Sequence, residues 1–410
     1  MRRGGIVLLL ALLVLPQAAQ GAQSLSLSAG QAAFWNGPRV EDGSGQSWTY
    51  RIRVTERAYR LRIAIDHPEV GDVYEVEVTD PDGRRSTFSP STGLYSAEHV
   101  TRDPAVGTWR VEVRAEDVTD SAFRMRAKLE ARPPSFGATG KQPVLPNLQV
   151  LPAHDASFLF PVTNGSADVE PTGLDLAGAE SCHPEEHIED GALRCLRFAF
   201  GVRNTGRGPL QLQLGAGGAL QDRELIQTIE RADGSSFDRP AGLARYHKTH
   251  GHYHHDSAIG VRLFRVADPR QGALEPAGAM RTKGFAHREE LLRDWDVFYP
   301  IWDRAGFGLR AGWADIYEWD RPGNYIDFGL NGDGRYVVRM WADPVEEIRE
   351  SNEVDNLGYT YLEVRGSEVE VLETGRGKHP WDPCKIVVGP GGHPDPPRGP
   401  RPARCPPDTT

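Results

Sequence analysis

Histidines concentrate in one short stretch of this sequence. Five of the chain's 13 histidines lie between positions 247 and 255, and His250, His252 and His254 recur at every second residue. Alternate side chains of a strand point to one face, so this spacing predicts three imidazole rings on the same side. Neutral imidazole binds copper and zinc, and three protein ligands leave a coordination position open for water or substrate. The spacing therefore predicts a metal site, with a surface histidine cluster that binds no metal as the alternative.

The other residues of this stretch are out of phase with the triplet. Tyr253 lies between two predicted ligands and should point to the opposite face, where it would pack against other residues. His247 and His255 also fall outside the alternation. We therefore expect each of them either to support a ligand from behind or to lie on the surface.

The sequence before the histidines predicts a β domain. Residues 24–131 contain short runs that alternate apolar and polar residues, such as Trp48–Val54 and Thr108–Val113, and turn-forming residues separate the runs. This pattern is typical of a β-sandwich. The turn Asp80–Gly83 and the strand start Gly107–Trp109 resemble the jelly-roll modules that are appended to secreted bacterial hydrolases. No cluster of titratable or metal-binding residues occurs there, so we interpret residues 24–131 as an accessory domain.

A second β domain is predicted to carry the histidines. A linker rich in proline and glycine, residues 132–146, separates it from the first domain. Residues 147–366 are again mostly strand-like, whereas residues 367–410 are rich in proline, glycine and arginine and are expected to be irregular. The predicted fold class is all-β, with two β-sandwich-like domains. The clearest strand predictions in the second are Leu196–Val202, Leu210–Leu214, Ile259–Val266, Tyr336–Trp341 and Tyr359–Val364.

Residues 1–22 have the pattern of a secretory signal peptide. Arg2 and Arg3 precede an apolar run from Ile6 to Pro16, and small residues at Ala19 and Gly21 suit a cleavage site. The apolar run is too short for a permanent membrane anchor, and no cysteine follows it to accept a lipid. We therefore expect an exported protein, extracellular or periplasmic, without a membrane anchor.

The cysteines agree with export. They fall into two local pairs, Cys182 with Cys195 and Cys384 with Cys405. An even number of cysteines in an exported chain predicts disulfide bonds, with two buried free thiols as the alternative for the first pair.

The net charge narrows the range of partners. The formal charge of −10 becomes −12 when Arg2 and Arg3 leave with a signal peptide that contains no acidic residue. An acidic exported chain is a poor match for nucleic acid or for an anionic membrane, and it is compatible with a cationic substrate.

Four motifs in order resemble the lysyl oxidase family, over residues 145–365. The run Tyr246–His254 resembles the family's copper-binding segment. Lys283 stands where the family places the lysine of its self-made quinone cofactor, and Tyr317 stands where the family places the cofactor's tyrosine. The segment Asp343–Asn356 resembles the family's closing acidic, asparagine-rich loop.

The resemblance implies a copper amine oxidase. In lysyl oxidases, copper and dioxygen oxidise the tyrosine ring and the lysine amine adds to it, which gives lysine tyrosylquinone. The quinone captures a primary amine as a Schiff base, a base removes the α-proton, and hydrolysis releases an aldehyde. Dioxygen restores the quinone, and hydrogen peroxide and ammonia are released. Here Lys283 and Tyr317 would form the cofactor, and the substrate would be peptidyl-lysine or a small amine.

The resemblance also implies calcium as a second metal. Calcium accepts many oxygen ligands with loose geometry. The ligands would come from an oxygen-rich loop and from one earlier segment, namely Glu350, Asn352, Asp355 and Asn356, together with Asn147 and the carbonyl of Leu148. A solvated acidic turn is the alternative.

Two other functions stay open at this point. Taken separately, Lys283 could be an ordinary solvated lysine and Tyr317 an ordinary half-buried strand tyrosine. The second hypothesis is therefore a non-enzymatic exported protein whose histidines hold copper or zinc. A third is a carbohydrate- or wall-binding adhesin, which requires neither metal nor cofactor.

Overall fold

A computed structural model describes most of both predicted domains. The described residues are 23–41, 45–66, 72–89, 96–118, 120–131, 140–157, 181–183, 186, 191–218, 220–248, 252–270, 272–285, 287, 291–292, 307–317, 319, 323–388 and 405. The predicted signal peptide, His250 and most of the predicted linker lie outside them. All 26 elements in this part of the chain are β-strands, which confirms the all-β prediction. The described residues contain no helix long and apolar enough to cross a membrane.

The chain divides into two compact units, residues 1–133 and 134–410. The described strands of the first unit are β1 Gln23–Leu27, β2 Ala32–Glu41, β3 Ser47–Val54, β4 Arg60–Asp66, β5 Val73–Thr79, β6 Arg85–Phe88, β7 Ser96–Arg102, β8 Gly107–Asp117 and β9 Asp120–Glu130. They form one sheet in the order β1-β3-β8-β5-β6 and another in the order β2-β9-β4-β7.

The two sheets of the first unit enclose an apolar core. Tyr50 and Ile52 of β3 belong to the same buried cluster as Phe123 and Met125 of β9, on the other sheet. Strand β5 alternates buried and half-buried residues along its length, as the sequence pattern predicts. This unit is therefore a β-sandwich.

The second unit contains the remaining described strands. They are β10 Pro143–Val144, β11 Leu148–Ser157, β12 Cys195–Asn204, β13 Leu210–Leu214, β14 Arg223–Arg231, β15 Ser236–His247, β16 His252–Asp268, β17 Ala273–Pro276, β18 Arg281–Phe285, β19 Leu291–Leu292, β20 Phe307–Leu309, β21 Trp313–Tyr317, β22 Tyr325–Asp327, β23 Gly334–Ala342, β24 Leu357–Arg365, β25 Glu368–Arg376 and β26 Ile386–Val387.

Two sheets form the core of the second unit. The larger has the order β20-β13-β14-β15-β16-β23-β24-β25-β26, with β17 and β18 added beside β16 and β10 beside β14. The smaller has the order β11-β12-β21-β19, and β22 also pairs with β12. Phe198 and Phe200 of β12 share one buried cluster with Leu263 of β16 and Val338 of β23, so the core lies between the sheets.

This topology decides where the predicted site residues lie. Strands β15 and β16 form the antiparallel pair that carries the histidines. Strand β18 pairs with β16 and carries Lys283. Strands β21 and β22 pair with successive parts of β12 and carry Tyr317 and Tyr325. Residues that are far apart in sequence are thereby placed on neighbouring strands.

Both cysteine pairs are disulfide bonds. The S–S distances of Cys182–Cys195 and Cys384–Cys405 are both 2.10 Å. The first bond ties the segment before β12 to the start of that strand, and the second ties Cys405 to the residues that precede β26. Two disulfides fit a chain that folds in an oxidising compartment.

Candidate functional site

Two of the three predicted copper ligands converge on one face of β16. The Nε2 atoms of His252 and His254 are 2.9 Å apart. His252 is exposed and His254 is half-buried, so the side of the pair away from the sheet is open. The third predicted ligand, His250, lies outside the described residues. The period-two spacing therefore places at least these two imidazoles as the sequence predicts.

The distance between the two nitrogens shows that both rings reach the same point on the surface. The Nε2 atoms of His252 and His254 are close enough to share a proton in a hydrogen bond or to bind one metal ion together. Imidazole nitrogen binds both copper and zinc, so the donor set fits copper and fits zinc equally well.

His247 joins the same surface from the neighbouring strand. It pairs directly with His252 across β15 and β16. Its ring lies on that of His254, with centroids 5.0 Å apart and planes inclined by 20°. Directly opposite residues of an antiparallel pair share a face, so the hairpin brings His247 into phase although its position in the sequence is out of phase. A predicted hairpin between β15 and β16 would have placed His247 on this face, whereas the spacing of the histidines alone does not.

His255 points to the other face and is buried. Its Nδ1 atom lies 3.3 Å from Nε2 of His287, and its Nε2 atom lies 3.4 Å from Oε2 of Glu347. Burial, followed by the nearby His255, holds the pKa of His287 well below its ordinary value. The hydrogen bond from His255 lowers the pKa of Glu347. His255 thus lies behind the exposed histidines and not among them, which is one of the two positions that the sequence predicts.

Lys283 lies on the ring of a tyrosine that the sequence analysis does not select. Its Nζ atom is 4.3 Å from the ring centroid of Tyr325 and donates a hydrogen bond to the carbonyl of Gly323. Lys283 pairs with Ile259, which is five residues beyond His254 along β16. At about 3.3 Å per residue, the two positions are separated by roughly 16 Å of strand.

Tyr317 packs on the opposite sheet. It pairs with Phe200 of β12, and the two rings are stacked with centroids 5.4 Å apart and planes inclined by 13°. The side chain is half-buried, which agrees with the alternative of an ordinary strand tyrosine and does not test the predicted cofactor role. Tyr325 pairs with Arg197 on the same strand, three residues before Phe200. The two tyrosines are therefore neighbours along one edge of β12.

A buried ion pair supports the segment between these tyrosines. Nη1 of Arg197 donates to Oε2 of Glu186 at 2.7 Å, and the backbone N–H of Gly323 donates to Oε1 of Glu186 at 2.6 Å. Nε of Arg197 donates to the carbonyl of Trp319 at 3.1 Å. Arg197 is completely buried. Nothing in the sequence marks this pair, because its members come from distant segments and match no motif.

The predicted calcium ligands meet at the start of β11. Glu350 is buried; its Oε1 atom accepts a hydrogen bond from Asn356 at 2.8 Å, and its Oε2 atom accepts the N–H of Leu148. Oδ2 of Asp355 accepts a hydrogen bond from Nδ2 of Asn147 at 3.1 Å. These five residues are brought together as the resemblance implies. The contact from Leu148 is made by its N–H, however, and not by the predicted carbonyl.

Asn352 has a different role from the other predicted ligands. Its Oδ1 atom accepts the backbone N–H of Val354 at 3.3 Å, which is a contact within the turn. Asp343 and Glu353, which were not predicted, instead have carboxylate oxygens within 4.8 Å of a carboxylate oxygen of Glu350. The acidic cluster is therefore centred on Glu350, with Asp343 and Glu353 as additional oxygen donors.

The electrostatics of this cluster suit a bound cation. Burial raises the pKa of Glu350 well above its ordinary value and that of Asp343 to about 6. The Oδ1 atom of Asn356 is buried and makes no hydrogen bond. A hard cation would compensate the buried carboxylates and use this oxygen, so the donor set fits calcium.

A cavity adjoins the Lys283 region. Its volume is about 400 Å³, and it is lined by residues 277–279, Arg281 and residues 326–331. Arg281 is one of these residues and also donates a hydrogen bond from Nη1 to the Tyr325 hydroxyl at 2.9 Å. The cavity is large enough for a small molecule and carries both a guanidinium and the carboxylate of Asp327.

Comparisons with known proteins do not indicate a function for this chain. No family model and no curated protein matches the chain. The chain is similar to the pre-peptidase C-terminal domain of a collagenase from Bacillus anthracis, at 11% identity, over 27% of this chain and 98% of that domain, with a TM-score of 0.20. It is also similar to a Bacillus licheniformis lipase in propeptide form, at 10% identity over 55% and 43% of the two chains, with a TM-score of 0.20. TM-scores this low support no conclusion about function.

Proposed function

We propose that this protein is an exported copper amine oxidase of the lysyl oxidase type. It would convert primary amines, either small amines or peptidyl-lysine, into aldehydes with release of hydrogen peroxide and ammonia. The observation that carries the proposal is the pair of Nε2 atoms of His252 and His254, 2.9 Å apart on an accessible face. The order of the motifs along the chain supports it.

His252 and His254, with His250 as the third ligand, would hold the copper. Bound copper would supply the oxidation of the tyrosine ring by dioxygen that makes the cofactor. Glu347 and His255 would support β16 from its buried face and so orient the metal ligands that this strand carries. Lys283 would contribute its amine and Tyr317 its ring to the lysine tyrosylquinone.

The acidic cluster would hold calcium in the same domain. The cluster joins the start of β11 to the loop between β23 and β24 through Glu350 and Asn356. A cation there would neutralise carboxylates that burial otherwise disfavours. Its role in the proposed enzyme would be to stabilise the loop.

One observation favours a second function, a non-enzymatic copper-binding protein. Lys283 contacts Tyr325 and Gly323, and Tyr317 stacks on Phe200. In a copper-binding protein without a quinone, the side chains of Lys283 and Tyr317 would not have to meet. The two functions make opposite predictions for cofactor formation.

The test uses the mature chain, loaded with copper in air. The oxidase should develop a visible quinone absorption, give a positive redox-cycling stain, and release peroxide when a primary amine is added. The Tyr317→Phe variant should bind copper and do none of these. A copper-loaded wild-type chain that stays colourless and releases no peroxide with small amines or lysine peptides would support the second function.

A further inference from the structure

The side chain of Lys283 is held by two groups that prefer its charged form. The face of the Tyr325 ring lies 4.3 Å from Nζ, and the carbonyl of Gly323 accepts a hydrogen bond from it. An aromatic face attracts a cation through its quadrupole, and a carbonyl oxygen accepts a stronger hydrogen bond from a charged donor than from a neutral one. Both contacts are stronger with the ammonium than with the neutral amine, and the ammonium has no lone pair with which to act as a nucleophile.

A buried carboxylate, that of Glu186, holds the backbone of Gly323 in place. Glu186 accepts the N–H of Gly323 at 2.6 Å, the N–H of His183 at 2.7 Å and Nη1 of Arg197 at 2.7 Å. Arg197 also holds the carbonyl of Trp319. The carbonyl that receives Lys283 thus belongs to a residue whose own N–H is anchored to a buried carboxylate.

The Tyr325 side is fixed as well. Tyr325 is fully buried and belongs to one apolar cluster with the Cys182–Cys195 disulfide. Its hydroxyl accepts a hydrogen bond from Nη1 of Arg281 at 2.9 Å. The ring therefore has little freedom to move away from Lys283.

We infer that Tyr325 is a positioning residue for Lys283, with Glu186 supporting it through Gly323. Together they hold the lysine as an ammonium in a defined place. In the proposed oxidase, on which this role rests, the amine would react with an oxidised tyrosine ring only after leaving this place and losing a proton. The arrangement would keep Lys283 unreactive towards the tyrosine ring for as long as both contacts are intact.

The test measures how fast Lys283 reacts with limiting acetic anhydride in the folded, metal-free chain. Peptide mass spectrometry gives the acetylation of Lys283 relative to Lys248, an exposed lysine of the same chain. We expect Lys283 to react at least about threefold more slowly, the factor that corresponds to one modest cation–π contact. Equal rates in the wild-type chain would overturn the inference without the use of any variant.

Three variants separate positioning from general packing. Tyr325→Leu should raise the relative rate of Lys283, whereas Tyr325→Phe, which keeps the ring and loses only the hydroxyl, should leave it close to wild type. Glu186→Gln should also raise it. Circular dichroism and an intact Cys182–Cys195 bond establish that each variant is folded. Similar rates for the leucine and phenylalanine variants would contradict a role for the ring.

This experiment is independent of the oxidase activity. It requires neither copper nor colour, so a chain that never forms a quinone could still show a protected Lys283. Conversely, a reactive Lys283 in a chain that forms the quinone would remove the positioning role and leave the proposed function intact.

Discussion

The imidazole rings of His255 and His287 face each other in the protein interior, with Nδ1 of the first 3.3 Å from Nε2 of the second. On its other side, His255 lies 3.4 Å from Glu347, which also accepts the hydroxyl of Ser257 at 2.8 Å. The N–H of Glu347 in turn donates to Asp343 at 2.9 Å. A continuous set of polar contacts thus links the acidic cluster to the strand that carries the exposed histidines.

The first prediction concerns the copper ligands. His252→Ala should weaken copper binding by at least about tenfold, because loss of a ligand costs no less than loss of a residue that merely supports one. Metal analysis after dialysis against a competing chelator measures this. His379→Ala, which removes a histidine outside the cluster, should retain the copper of the wild-type chain. Undiminished copper in the His252→Ala protein would show that the exposed pair is not the site.

The second prediction concerns calcium. Calcium at a hundredfold excess over its Kd should add about 2–3 kcal/mol to the free energy of unfolding, because it binds only the folded chain. Glu350→Gln should remove most of this gain, whereas Glu368→Gln, at an exposed position, should keep it. Denaturation with and without calcium gives the comparison. An equal gain in the wild type and in Glu350→Gln would place the cation elsewhere.

The third prediction follows from the raised pKa of Asp343. Burial raises this pKa from 3.8 to about 6, so the folded chain binds a proton more tightly than the unfolded chain. The resulting stabilisation is complete below the unfolded pKa and is lost as the pH rises through about 6. In the calcium-free protein, the free energy of unfolding of Asp343→Asn should therefore fall less than that of the wild type as the pH rises from 3.8 to about 6. Urea denaturation across that range checks it, and an unchanged pH profile would argue against a buried, protonated Asp343.

Strand positions were largely predictable from the sequence, because the alternation of apolar and polar residues has the same period as the strand. The run Leu210–Leu214 coincides with β13, and Ile259–Val266 lies inside β16. The strand extends back to His252, as the alternating histidines imply. The prediction that residues 367–410 are irregular is wrong for β25 and β26, because β25 pairs with β24 and β26 pairs with β25 despite the composition of that segment. The positions of His252 and His254 on one face needed nothing beyond this local rule.

Contacts between distant segments were not predictable in the same way. Glu186 meets Gly323 across 137 positions, and no motif or periodicity marks either residue as a partner. Nothing in the sequence distinguishes Tyr325 from other tyrosines, although it is the tyrosine that lies under Lys283. Asp343 joins the acidic cluster from a turn where its φ is 46°, a conformation that the strand pattern does not indicate.

The fourth prediction concerns the buried ion pair. Arg197→Met should cost about 3–5 kcal/mol of unfolding free energy, because Glu186 would remain as an uncompensated buried charge. The double variant Arg197→Met with Glu186→Gln should recover part of that loss, since no buried charge then remains. Denaturant titration of the two proteins gives both values. A double variant that is no more stable than Arg197→Met would indicate that the contacts to Trp319 and Gly323, and not the charge, set the cost.

The most direct test of the proposed enzyme is the covalent state of Lys283 in active protein. After aerobic copper loading, proteolysis with an enzyme that separates Tyr317 from Tyr325, followed by mass spectrometry, identifies the peptide joined to Lys283. We predict a cross-link to Tyr317, absent from Lys283→Arg and from metal-free protein, that accumulates in parallel with amine-dependent peroxide release. An intact Lys283 and an intact Tyr317 in protein that releases peroxide from amines would contradict the proposed mechanism.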